Sequence, residues 1–220
     1  MKKKLLVLSW LLILISGPII ILTKSPLSIV TGNIAQSINI FQRIAGLIAF
    51  SAIFMQIVVG ANLSKLSKIF GTWINKFHIF QGIVAYAFVL VHPLLFLFYN
   101  FKIRGSIDPF YVFTDACLLC PRPYELYWSF GRIAFWLISF AVLAAMIRSE
   151  SWWKENWRKF HILNYFTFFL IAAHAWFSGT DIIKTSFVYI FWIGVVVTIY
   201  TVIHKYLLPL IINKKNRPPR

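Results

Sequence analysis

The chain has 220 residues, of which 60% are apolar and 13% charged, and its formal net charge is +16. Soluble domains average about 45–50% apolar and 25% charged residues, so an ordinary water-soluble globule is excluded, and the basic charge does not indicate a nucleic-acid partner here. Six membrane helices of roughly 20 residues each use about 120 residues, and the longest remaining stretch, Phe101 to Glu125, is far too short for a nucleotide-binding domain.

The first predicted helix, residues 5–23, follows the basic start Met1-Lys2-Lys3-Lys4. A basic start and an apolar middle also fit a secretory signal, but no small-x-small cleavage site follows Gly17-Pro18, so an uncleaved helix is expected. Apolar runs predict five further helices at 38–60, 78–100, 126–147, 161–178 and 186–208, giving an all-α, six-span membrane bundle in a single domain. Fifteen basic residues fall in alternate joints and the tail: Lys2, Lys3, Lys4, Lys65, Lys68, Lys76, Arg148, Lys154, Arg158, Lys159, Lys205, Lys214, Lys215, Arg217 and Arg220. The other joints hold five, Lys24, Lys102, Arg104, Arg122 and Lys184. This asymmetry predicts a multi-pass cell-membrane protein with both termini cytoplasmic. Trp73, Trp128, Trp157 and Trp176 lie near predicted helix ends, as in an aromatic belt.

Ionisable side chains at membrane depth are costly and ask for a reason. All six acids lie in joints or at their edges, whereas the third helix carries His78 and His92 and the fifth carries His161 and His174. Fourteen residues rise about 21 Å and return to within about 40° of the starting face, so His78 and His92 share a face at two depths. The 13-residue step from His161 to His174 leaves a mismatch of about 140° on an ideal helix. Either the fifth helix is distorted, or its two partners approach from different sides. The third and fifth helices run the same way, so His78 is expected to pair with His161, and His92 with His174. Two neutral imidazoles facing each other are axial ligands for a haem iron.

The segments Trp73-Ile74-Asn75-Lys76-Phe77-His78 with Gly82 and His92, and Trp157-Arg158-Lys159-Phe160-His161 with Tyr165 and His174, resemble the ferric reductase-like transmembrane domain. That superfamily includes NADPH oxidases, ferric-chelate reductases and the haem subunit of bacterial methionine sulfoxide reductase. The resemblance implies two b-type haems stacked across the membrane, with His78, His92, His161 and His174 as iron ligands. It implies an oxidoreductase component that passes electrons from a cytoplasmic or quinol donor to an extracytoplasmic acceptor. None of the ten glycines forms a Gly-x-Gly, so no FAD or NAD(P)H site is expected and the donor is a separate flavoprotein reductase or a quinol.

Gly82, one turn after His78, would let a flat macrocycle lie against the helix. Arg43 and Arg132 fall near the outer ends of their spans, where they either pair with haem propionates or snorkel to headgroups. Arg43 also matches a second-helix arginine linked to oxygen reduction in the related oxidases. Lys76, Arg158 and Lys159 are candidates for the inner propionates but are equally positive-inside markers. Gln81 and Asn164 each follow an inner histidine by three residues and either tune it or bond across helices. Phe88 and Phe168 lie between the two levels, and His204 is expected at the interface. Cys117 and Cys120, in Cys-Leu-Leu-Cys-Pro of the third joint, form either a loop staple or a redox pair. The acceptor is open among metal, oxygen, a thiol protein and a sulfoxide reductase. The rival from another class is a transporter with a histidine ladder for metal ions or protons, although its spans would lack the acids that such relays use.

Overall fold

The computed structural model describes residues 1–25, 31–147 and 149–209, with the side chains of residues 151, 153, 155, 158 and 159 set aside. The basic tail residues Lys214, Lys215, Arg217 and Arg220, together with Arg148 and the side chains of Arg158 and Lys159, lie outside that description. Nine α-helices are described: α1 (Lys2–Lys24), α2 (Ile34–Ala61), α3 (Leu63–Phe70), α4 (Trp73–Arg104), α5 (Pro109–Phe113), α6 (Pro123–Met146), α7 (Ser151–Ser178), α8 (Thr180–Ile183) and α9 (Phe187–Val202). A π-helical turn, Ile203–Leu207, extends α9.

Six segments are long and apolar enough to cross a membrane: α1, α2, α4, α6, residues Phe160–Ser178 of α7, and α9 with its π turn. The protein is an all-α, multi-pass membrane protein. Its outward faces carry large apolar side chains, among them Leu5, Ile83, Trp136, Tyr189 and Ile193, all more than half exposed. Water would not tolerate such a surface, whereas lipid matches it. At 32 residues, α4 is about 48 Å long, so it projects well beyond a hydrocarbon layer of about 30 Å.

The order of spans puts the start of α1, the end of α2, the start of α4, the end of α6, the start of α7 and the end of the π turn at one end of the bundle, here the near end. Two contacts tie it together: Lys3 Nζ lies 5.5 Å from the Trp73 ring centroid, and Lys205 Nζ donates to the Ala61 carbonyl at 3.3 Å. Between α2 and α4 lies the short amphipathic α3. Its Leu63, Leu66 and Phe70 pack on the core while Lys65 and Lys68 face outward, the pattern of a helix lying at an interface. It stops at Gly71, whose φ of 65° favours glycine.

The two most extensive helix interfaces are α2 with α4 and α6 with α7. The bundle is therefore two antiparallel pairs set side by side, with α1 and α9 against α2. Small residues explain the closeness within each pair. On α2, Ala45, Ala49, Ser51 and Ala52 are buried; on α6, Ala134, Ala141 and Ala144 are. Midway along, Phe50 of α2 stacks on Phe191 at 5.3 Å and meets Phe168 of α7 at 5.5 Å, and all three are nearly or completely buried. Phe168 lies seven residues after His161 and six before His174, so this aromatic cluster fills the middle layer.

Candidate functional site

The gap between the two helix pairs holds the four histidines. The His78 and His161 ring centroids are 6.4 Å apart with planes at 79°; those of His92 and His174 are 6.3 Å apart with planes at 81°. The near pair and the far pair thus meet as the parallel run of α4 and α7 requires.

The 13-residue mismatch on α7 is met without a break, because α7 is continuous α-helix through both histidines. Instead the rings have different surroundings. His174 lies along α6, with Nδ1 2.9 Å from the Tyr127 carbonyl and Ser178 Oγ at 3.4 Å. His161 stays with its own helix, edge-on to Trp157 at 5.7 Å and 3.3 Å from Asn164 Nδ2.

On the α4 side, His92 Nδ1 is 2.9 Å from the Gln42 carbonyl, and the Gln42 amide reaches the ring at 3.4 to 3.5 Å. A carbonyl only accepts, so Nδ1 of both His92 and His174 carries the proton and Nε2 keeps its lone pair, the tautomer a metal needs. Among the described residues no such carbonyl meets His78 Nδ1. Gln56 Nε2 lies 3.3 Å from its Nε2 and also donates to the His78 carbonyl at 3.0 Å.

Three glycines make room for these rings. A Cβ on Gly46 would sit 2.9 Å from His92 Cε1, one on Gly60 2.9 Å from His78 Cε1, and one on Gly131 2.8 Å from His174 Cε1 and Nδ1. None of these residues stands out in the sequence alone, yet a signal is present. On α2, Gln42-x3-Gly46 and Gln56-x3-Gly60 repeat at the 14-residue interval that separates His78 from His92 on antiparallel α4. On α6, Gly131 and the buried Ala144 are separated by 13 residues, the interval from His161 to His174.

Other expected residues have more specific partners. The space beside Gly82 is taken by the Gln56 amide, 2.8 Å from where a Cβ would be, so a macrocycle face there would have to share it. Gln81 is fully buried and bonds across to the Ala52 carbonyl at 3.3 Å, away from His78. Arg43 does not reach for headgroups. Its Nε donates to Asp181 Oδ2 at 2.7 Å and a terminal nitrogen bonds Oδ1, a forked ion pair. Arg132, 7% exposed, donates to the Asp115 carbonyl and lies over the Tyr111 ring at 5.1 Å. Both arginines line a cavity of about 470 Å³ at the far end together with His92, His174, Gly46 and Gly131. His204 is exposed in the π turn, stacked on Tyr200.

Cys117 and Cys120 are disulfide-bonded. Their loop is stitched to the start of α6: the Cys117 N–H donates to Ser129 Oγ at 2.8 Å, and Arg132 holds Asp115 two residues earlier.

A six-span bundle with two facing histidine pairs at two depths defines a class of membrane redox protein. The chain belongs to the ferric reductase like transmembrane component family, whose model matches residues 44–172. That stretch runs from α2 to the last turns of α7 and includes three of the four histidines, with His174 two residues beyond it. Membership makes the chain an oxidoreductase component that acts in transmembrane electron transfer. No curated protein and no solved structure matches the chain.

Proposed function

We propose that this chain is a di-haem b electron-transfer subunit, with His78 and His161 holding one haem and His92 and His174 the other. The observation that carries the reading is the ring spacing. Two metal–nitrogen bonds of about 2.0 Å and the distance from each imidazole nitrogen to its ring centre, about 1.1 Å, together span about 6.2 Å. The two pairs have 6.4 and 6.3 Å. Direct imidazole–imidazole packing requires no such equal separation at two levels. The Nδ1 hydrogen bonds of His92 and His174 further support ligation through Nε2.

Haem b, if held between these imidazoles, would supply reversible one-electron chemistry. The chain's own residues orient the rings, exclude water through the Phe50–Phe168–Phe191 layer, and counter the propionate charges. Arg132 is the far-end residue suited to a propionate; Arg43 would contribute only while sharing its fork with Asp181.

The excess of basic residues at the near end supports a cytoplasmic near end and both termini inside, so electrons run from His78–His161 towards His92–His174. The donor is a separate flavoprotein reductase or a quinol. The acceptor is extracytoplasmic: a metal chelate, oxygen, a thiol protein or a partner of the methionine sulfoxide reductase type. Cys117 and Cys120 serve as a staple for the far-end loop. A disulfide takes electrons in twos, which suits thiol exchange better than single-electron delivery.

The test is the reduced-minus-oxidised spectrum and haem content of the purified protein. The wild type is expected to hold two low-spin b haems, and His92→Ala or His174→Ala to hold one. A folded but colourless preparation would overturn the reading and leave the histidine-lined transporter.

A further inference from the structure

The far end of the bundle is poor in cations, yet two of its basic residues converge. Of the five that the sequence places in the far joints, Lys24 closes α1 and Lys184 follows α8, and both line one open notch between the end of α1 and the start of α9. The notch has a volume of about 520 Å³ and shares no residue with the cavity of the far histidines. Thr23 and Ser186 add hydroxyls to its rim, and Ile20, Val188 and Tyr189 give it an apolar wall.

The two lysines are left with their charge. No acid lines the notch. Asp181, three residues before Lys184, is buried and committed to Arg43 through both carboxylate oxygens. Among the described residues neither lysine has an ion-pair partner. The order of side chains along the bundle axis is equally telling. Ile20 precedes Lys24 by one turn on α1, which runs towards the far end, while Val188 and Tyr189 follow Lys184 on α9, which runs away from it. On both helices the apolar residues therefore lie on the membrane side of the lysine. Tyr189 is more than half exposed on the lipid face. Paired ammonium groups at the water boundary above an apolar wall match a phospholipid, with its phosphate at the boundary and its acyl chains beneath. A zwitterionic headgroup brings its own cation, so two uncompensated lysines select a lipid of net negative charge.

We propose that this notch binds an anionic phospholipid of the far leaflet, with the phosphate between Lys24 and Lys184 and an acyl chain along Ile20, Val188 and Tyr189. The site needs neither haem nor the four histidines. A lipid held there bridges α1 to the joint between α8 and α9, and so steadies the segment that presents Asp181 to Arg43.

The experiment is native mass spectrometry of the full chain in a nonionic detergent, titrated with phosphatidylglycerol or phosphatidylcholine. The wild type is expected to retain one phosphatidylglycerol in preference to phosphatidylcholine. Lys24→Gln/Lys184→Gln is expected to hold it about tenfold or more weakly, because each lysine at a lipid surface contributes a several-fold attraction. Lys102→Gln/Arg104→Gln removes the same charge from the same end of the bundle and is expected to leave the binding unchanged. Should the first double variant fail to fold, Lys184→Gln alone carries the comparison, with about a fivefold loss. Inorganic phosphate at the lipid's concentration is expected not to displace it, since it has nothing to lay against Ile20 and Val188. Equal retention of the two lipids, undiminished binding in the lysine variants, or an equal loss in both double variants overturns the proposal. Displacement by inorganic phosphate overturns it too, and makes the notch a site for soluble anions.

Discussion

Gly131→Ala adds a single methyl group, and the structure gives its consequence. The new Cβ would lie 2.8 Å from His174 Cε1 and Nδ1 and 3.0 Å from Cγ. Carbon atoms pack best at about 3.5–4.0 Å, so the ring or the helix must yield by about 0.7 Å. Overpacking of this kind costs about 1–3 kcal/mol, while replacing glycine by alanine inside a helix returns about 1 kcal/mol, so the bundle survives with a net loss of about 2 kcal/mol or less. The ligand geometry does not survive. A displacement of about 0.7 Å is a third of a metal–nitrogen bond of about 2.0 Å, and it also pulls Nδ1 from the Tyr127 carbonyl, now at 2.9 Å. Haem content is therefore expected to fall from two per chain to one, with the melting temperature lowered by only a few degrees. Gly32→Ala, where nothing lies within 4 Å of the added methyl, is the matched control. Two haems and an unaltered spectrum in Gly131→Ala would refute the claim that the glycine exists to seat the ring.

Further outcomes follow from the same geometry. Ring planes at 79° and 81° predict highly anisotropic low-spin ferric signals in electron paramagnetic resonance; rhombic signals typical of parallel imidazoles would contradict the ring arrangement. Asp181→Asn strips Arg43 of its charge partner. The pair's side chains are 31% and 12% exposed, between a surface and a buried ion pair, so a loss of about 1–3 kcal/mol is expected in thermal unfolding, and an unchanged midpoint would deny the pair a structural part. Replacing Cys117 and Cys120 together by serine opens a very short loop, worth about 2 kcal/mol at most on chain-entropy grounds. Both haems and electron transfer to a small soluble acceptor are expected to persist, and loss of transfer with both haems present would instead mark a redox pair.

The histidines were legible in the sequence because they are imidazoles in otherwise apolar spans, and their spacing on two like-oriented helices fixed the partners. The seats beneath them were hidden. Gln42, Gly46, Gln56, Gly60 and Gly131 sit among small and amide residues that any helix interface uses, and only the antiparallel register of α2 with α4 and of α6 with α7 turns them into a repeated pattern. Arg43 and Asp181 are 138 positions apart, and the acid lies in a four-residue helix outside the apolar runs, so nothing local joined them. Helices α3, α5 and α8, of eight, five and four residues, are too short for a periodic signal. The first turns of α7 were missed for a different reason. The charges of residues 154–159 end the apolar run in the sequence, but the backbone is already helical from Ser151, because charged residues such as Lys154 are good helix formers and only the apolar pattern stops there.

The central claim is that electrons cross the bilayer through this chain. The direct measurement uses the haem-loaded protein in sealed vesicles with ferricyanide trapped inside and dithionite added outside. Reduction of the trapped ferricyanide at a rate that His92→Ala abolishes is the predicted result. Full reduction of both haems with the trapped acceptor left oxidised would contradict it.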